Sequence, residues 1–220
     1  MKESRIALYC SLLAAAFSIQ PATGAEQEAS PAPAVERRDL RKQLLARDQE
    51  VRQKTIDWMK ENKVSFEDLP DDFLKQPVVQ EEMRVDRENR EWLKTIVERH
   101  GWPGKTLVGV DGTHAAWLLA QHADHEFRRA CLRRMQERPV GEVAKVDVAY
   151  LTDRVRLAEG KPQIYGTQLE IRDGRWQPCK VEDPENLDRR RQEIGLPPIA
   201  EYLKDAEEVY GPPSKKAESK

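Results

Sequence analysis

The chain has 220 residues, 35% of them charged and 39% apolar, with a formal net charge of -2 at pH 7. That length supports one domain with a hydrophobic core, and the balance excludes a disordered chain. Basic residues are interspersed with acidic ones and aromatics make up only 6%, so neither a basic stripe nor a base-stacking platform for nucleic acid is present.

The first 25 residues read as a secretory signal. Lys2 and Arg5 make a short basic start, and Ile6 to Ile19 is an apolar run of 14 residues, too short to span a bilayer. Thr23-Gly24-Ala25 supplies the small residues for cleavage after Ala25, whereas Tyr9 before Cys10 is too bulky for a lipoprotein signal. Residues 26–37 form a linker with closely spaced prolines, 38–211 a single globular domain, and 212–220 a flexible tail. The expected product is exported, periplasmic or secreted, with no membrane span in the mature chain. Losing Cys10 leaves Cys131 and Cys179, an even count that permits one disulfide in an oxidising compartment. Two separate buried thiols are the alternative.

Apolar periodicity predicts a first helix from Asp39 to about Asn62, with Leu44, Val51 and Trp58 at seven-residue spacing. A loop holding Pro70, with a short turn at Asp71–Leu74, leads to a second helix over Val78–Arg99 on a Val78, Val85, Trp92, Ile96 stripe. Gly101-Trp102-Pro103-Gly104 ends it. A third helix, Thr113–Gln121, is apolar nearly all round and therefore central. Asp124 is the expected N-cap of a fourth, in which Phe127, Cys131 and Met135 recur every four residues, before Pro139 and Gly141. Val148, Leu151 and Val155 define a fifth, capped by Asp147 and stopped by Gly160 and Pro162. The period then switches. Residues 163–171 alternate as a strand, Asp173-Gly174 makes a turn, and Arg175 begins the return arm. Gly166 marks a bulge or a close approach. Asp183-Pro184 opens a further helix ending at Gly195, and a last short one runs from Pro198 to Tyr210. The fold class is α+β, mainly α: five to seven helices and a single β-hairpin near residues 163–181.

Polar side chains that interrupt core stripes mark candidate sites, because burying them is costly without partners. Asp48 lies between Leu44 and Val51, and Asn89 between Val85 and Trp92. Thr55 also interrupts a stripe, but threonine satisfies itself on its own helix. Arg154 is a candidate anion holder or helix tie. His122 and His125 are three apart, yet Asp124 breaks the helix between them and spoils a metal-binding spacing. No metal ligand set, phosphate loop or nucleophile elbow is assigned, and no cofactor or partner is implied.

These segments also resemble an uncharacterised bacterial domain family of unknown function. The resemblance rests on Asp48-Gln49-Glu50-Val51-Arg52, Gly101-Trp102-Pro103-Gly104 and Ala116–Asp124, and on Tyr150–Val155, Tyr165-Gly166-Thr167-Gln168 and Glu182-Asp183-Pro184. It covers roughly Leu40 to Leu203 and implies one domain with no established activity, cofactor or substrate. It adds emphasis to Asp48, Gln49, Arg52, His122, Asp124, Tyr165 and Gln168, while His114 and His125 lie outside its pattern.

Three readings of the site follow. The first is a small-molecule or partner-binding domain whose polar inter-helix site comprises Asp48, Gln49, Arg52, Asn89, Arg154 and Gln168. The second is a hydrolase with His122 as general base, Asp48 or Asp124 orienting it, and Tyr165 or Arg154 steadying negative charge. The third is a buried polar network that only specifies helix packing.

Overall fold

The computed structural model describes residues 45–64 and 69–210. The signal, linker and tail expectations, and the start of the first helix before Leu45, lie outside the described residues. Seven α-helices and one hairpin are present among them: α1 Leu45–Glu61, α2 Pro77–His100, α3 Lys105–His122, α4 His125–Gln136, α5 Lys145–Ala158, α6 Leu187–Glu193 and α7 Ile199–Tyr210, with strands β1 Leu169–Arg172 and β2 Arg175–Pro178 between α5 and α6. The predicted mainly helical α+β class is therefore the observed one.

The helices form where the apolar period is helical, but the buried face of α2 is turned by about one residue from the predicted stripe. Val79, Val85, Leu93 and Ile96 are buried, with Glu82 and Asn89 among them, whereas Val78 and Trp92 are half-buried. Pro77 occupies the first turn, where its missing N–H costs nothing. α3 is the central helix, as its composition predicts. A helical turn over residues 105–108 precedes it, set off by a kink at Gly109, whose φ 77 and ψ 171 are not helical, so the continuous part begins after Gly109, a few residues before the expected Thr113. Trp102 fixes the preceding turn: it is fully buried and its Nε1 donates to Thr113 Oγ1 at 3.1 Å. Asp124 caps α4 as expected, accepting from the Phe127 amide at 2.9 Å. Asp147 does not cap α5. That helix begins three residues earlier, after Ala144, and Asp147 instead meets His114 Nδ1 at 3.1 Å.

α1 lies along α2 and touches α3, while α4 packs on α5 and on the end of α3. The main core runs from Leu93, Trp102 and Trp117 through Leu151 to Trp176 and Tyr202. A smaller cluster, Met59, Leu69, Phe73 and Val79, closes the far end of the α1–α2 pair.

The hairpin is antiparallel, with Leu169 opposite Pro178 and Arg172 opposite Arg175. Asp173 and Gly174 both have positive φ, the geometry of the tight turn their sequence predicts. Its first arm is shorter than expected. Gln163 keeps only an isolated parallel bridge to Val181, and residues 164–167 do not pair as a strand because Asp153 of α5 gathers three of their amides: Ile164 N at 2.6 Å, Tyr165 N at 3.1 Å and Thr167 N at 3.0 Å. Gly166 within this loop has φ +65, and a Cβ there would sit 3.3 Å from Leu187 Cδ2. The close approach expected of Gly166 is thus observed. Gly166→Ala is expected to lower the unfolding free energy by about 1–2 kcal/mol in urea denaturation, since strain and crowding add.

Cys131 and Cys179 are both buried, and no disulfide joins them in this structure. Burial pushes the Cys131 thiol up to about 12, as for an inert core cysteine.

Candidate functional site

One face of α1 carries Asp48, Val51, Arg52, Thr55 and Met59, all buried. Helical spacing places Asp48 and Arg52 one turn apart, and Arg52 points at α2 and the end of α3. Its guanidinium joins three carboxylates. Nε and Nη2 reach Asp48 at 3.3 and 3.2 Å, Nη1 reaches Glu82 Oε1 at 2.7 Å, and Nη2 also donates to Asp86 Oδ1. Gln49 donates to Asp48 Oδ2 at 2.8 Å. Arg52 is 1% exposed and Asp48 0%, so these pairs lie where charge is poorly hydrated and geometry decides whether they stabilise.

His122, the last residue of α3, completes the group. Its Nδ1 lies 3.1 Å from Asp48 Oδ1 and 3.1 Å from Arg52 Nε. One nitrogen cannot donate to the first and accept from the second at once. Arg52 Nε already has Asp48 Oδ2 as an acceptor, so the consistent tautomer carries the proton on Nδ1, donated to Asp48, and leaves a lone pair on Nε2. That Nε2 is buried and meets no donor from the protein. Glu82 Oε2 is in the same condition. The nearby Thr55 hydroxyl gives its proton to the Val51 carbonyl at 3.2 Å, as its helical position predicts.

The electrostatics follow from this crowding. Burial opposes ionisation of Asp48, but His122 and Arg52 outweigh it and hold the carboxyl far below the usual range. Burial, with the Asp48 and Glu82 charges, pushes Asp86 up to about 7 despite Arg52. Burial likewise raises Glu82. Burial and the Arg52 charge push His122 down to about 4, with Arg154 of α5 close enough to add to the effect. His122 is therefore neutral at pH 7, with its Nε2 lone pair available.

The two shifts act on stability in opposite directions. A depressed His122 contributes stability that is complete above its unfolded value of 6.5 and lost as pH falls toward about 4. A raised Asp86 takes up a proton on folding, so stability is lost as pH rises from 3.8 through about 7. Asp86→Asn removes only the second effect. Its unfolding free energy is expected to rise with pH more steeply than the parent's between about pH 4 and 7, measured by urea denaturation.

A pocket of about 320 Å³ opens beside this network, within the range of small-molecule sites. Glu82, Asp86 and His122 line it, whereas Asp48 stands behind them. Phe73, Val79 and Met83 form an apolar wall, and Arg87, Arg90 and Asp124 a polar one. Asp124 is anchored twice, by capping α4 and by accepting from Arg90 at 2.5 Å.

Asp48, Asp86 and His122 also present ligand atoms within 4.8 Å of one another, a spacing a metal ion would accept. The guanidinium of Arg52 already bonds both carboxylates, and Asp48 takes the His122 Nδ1 proton, so their convergence has an internal cause. His125 opens a new helix after the break at Asp124, which separates it from His122 as the sequence suggests.

The sequence candidates thus divide. Asp48, Arg52 and His122 meet, with Gln49 bonded to Asp48 and Asp124 at the pocket wall. Asn89 is 1% exposed on the same α2 face, one turn beyond Asp86, and its amide bonds no protein group. Tyr165 and Gln168 do not line the pocket. Both belong to the loop held by Asp153: the Tyr165 amide bonds Asp153, and Gln168 Nε2 donates to Thr167 Oγ1 at 3.0 Å. His114 pairs with Asp147 and stacks on Trp117 at 4.9 Å between ring centroids.

Glu82 and Asp86 are missed from sequence, although a signal exists. Glu82 stands between Val78 and Val85 just as Asn89 stands between Val85 and Trp92. In the acidic run Glu81-Glu82 it passes for a solvated residue.

Among known protein families, the profile of a family of unknown function, DUF6624, matches residues 38–215. No curated protein matches the chain, and no solved structure does.

Proposed function

The chain belongs to the DUF6624 family of unknown function, and we propose that it binds a small polar molecule in the pocket walled by α1, α2 and the α3–α4 junction. The observation that carries this reading is the pair of buried acceptors, Glu82 Oε2 and His122 Nε2, which no protein donor meets and whose residues line the cavity. Leaving such atoms unmet costs about 1–3 kcal/mol each, and a bound donor removes that cost. The polar network behind them holds the acceptors in place before the ligand arrives, which lowers the ordering cost of binding.

A melting-temperature screen against a metabolite panel tests this. A ligand at about a hundred times its Kd adds about 2.7 kcal/mol of stability, a shift of several degrees. Glu82→Gln should abolish or weaken the shift. A panel that moves no melting curve contradicts the reading.

The Asp48–His122 contact favours a second reading, in which neutral His122 takes a proton from water at Nε2 and Asp48 steadies the imidazolium. Under it, His122→Gln, whose side-chain oxygen can still accept a hydrogen bond, removes hydrolysis of the bound compound beyond any loss of its binding. Were the network purely structural, neither variant would alter any ligand response.

We also propose export. Residues 1–25 act as a signal cleaved after Ala25, and no helix of the described residues is long and apolar enough to cross a membrane. The mass of the exported product should place its first residue at Glu26. A product retaining residues 1–25 contradicts this.

A further inference from the structure

The pocket's lining is ordered along α2. Val79, then Glu82 and Met83, then Asp86 and Arg87, then Arg90 face it, a climb of about 16 Å at the helical rise. The wall passes from apolar through acidic to basic. Its acceptors are built into the protein: Glu82 and His122 are each 8% exposed, and each has one polar atom that no protein donor meets. Such atoms call for a donor, and the partly compensated carboxylates around Arg52 call for a positive one. A cation alone leaves the other end unused. Arg90 is committed to Glu91 and Asp124, but Arg87 is exposed and makes no ion pair among the described residues. An anion alone would face Glu82 and Asp86.

We propose that the ligand is a small zwitterion of the α-amino acid class, a deepening that rests on the binding reading above. Its ammonium donates to Glu82 Oε2 and His122 Nε2, with Asp86 beside it. Its carboxylate pairs with Arg87, and its side chain lies toward Phe73, Val79 and Met83. An ammonium group suits this place better than a metal ion: it supplies several donors at hydrogen-bond distance and leaves Arg52 where it is. The apolar wall sets a preference for an aliphatic or aromatic side chain over a charged one.

The test uses the mature chain and four sets of probes: single amino acids, their carboxamides, their deaminated acids, and zinc or manganese chloride alone. Calorimetric titration should find an apolar amino acid that binds, with its carboxamide and its deaminated acid each weaker by about tenfold or more. Arg87→Ala removes an exposed side chain, so the fold survives. It should weaken the amino acid about tenfold and leave the carboxamide unchanged. A carboxamide that binds as tightly as its amino acid overturns the proposal, as does an Arg87→Ala variant with unaltered affinity. So does a metal salt that binds where no amino acid does. Should the wider metabolite panel yield ligands that are not zwitterions, the pocket reading stands and this assignment falls. Should no compound of any class bind, both fall.

Discussion

Arg52→Met is expected to lower the unfolding free energy by about 3–5 kcal/mol at pH 7, or to prevent folding outright. The reason is what the guanidinium leaves behind. Asp48, Glu82 and Asp86 each bond it, and with methionine in its place they lie close together, with no cation between them and little water. Methionine fills most of the volume, so the loss is one of charge compensation rather than packing. A signature separates this from a cavity effect. Carboxyls deprived of Arg52 have raised folded-state pKa values, take up protons on folding, and regain stability as pH falls. The deficit relative to the parent should therefore shrink between pH 7 and 5 in urea titrations. Arg52→Lys restores one charge without the fork that joins three partners, and should recover only part of the loss. A deficit below about 1 kcal/mol, or one that does not change with pH, contradicts the network described for this site.

Asp153→Ala is expected to cost a similar amount, about 3–5 kcal/mol, for a different reason. Its carboxylate lies fully buried and accepts from three backbone amides and the Thr167 hydroxyl. Alanine leaves those donors inside the protein without acceptors. The loop they belong to is further tied by Gln163, whose side chain spans Gln168 and Cys179, by Arg191 on the Tyr165 carbonyl at 2.6 Å, and by Tyr202 on the Thr167 carbonyl at 2.8 Å. The variant should unfold at lower urea, and hydrogen exchange should show Ile164, Tyr165 and Thr167 losing protection first. Asp153→Asn keeps one acceptor oxygen and should fall between. Unchanged exchange at these amides contradicts the anchoring role.

How far the sequence reveals this molecule depends on which physical signal each residue carries. Helical periodicity and end signals report whole helices, so α1 to α5 and α7 are legible, as is α6 between Asp183-Pro184 and Gly195, and so is the Asp173-Gly174 turn, where positive φ restricts the residue types. The limits are equally physical. A stripe read as Val78–Trp92 differs by about one residue from the observed Val79–Leu93 face, and periodicity alone does not separate the two. That small rotation brings Glu82 fully into the interface. Asp48 is legible because it breaks an otherwise apolar pattern; Asp86 is not, because nothing in its local sequence says that Arg52 lies opposite. Tyr165 and Gln168 lie apart from this pocket, in the loop whose amides and Thr167 hydroxyl bond Asp153. Which buried polar groups meet is a property of tertiary packing, and the sequence shows only that each needs a partner.

Everything proposed for the pocket depends on the proton arrangement of a single imidazole. Nitrogen-15 NMR of the His122 ring in the folded protein tests it most directly, followed over a pH titration. The expected spectrum shows a neutral ring at pH 7 with its proton on Nδ1 and Nε2 bare, protonating only near pH 4. A ring that carries its proton on Nε2, or that titrates near 6.5 as an exposed histidine does, would mean that no acceptor awaits a ligand there.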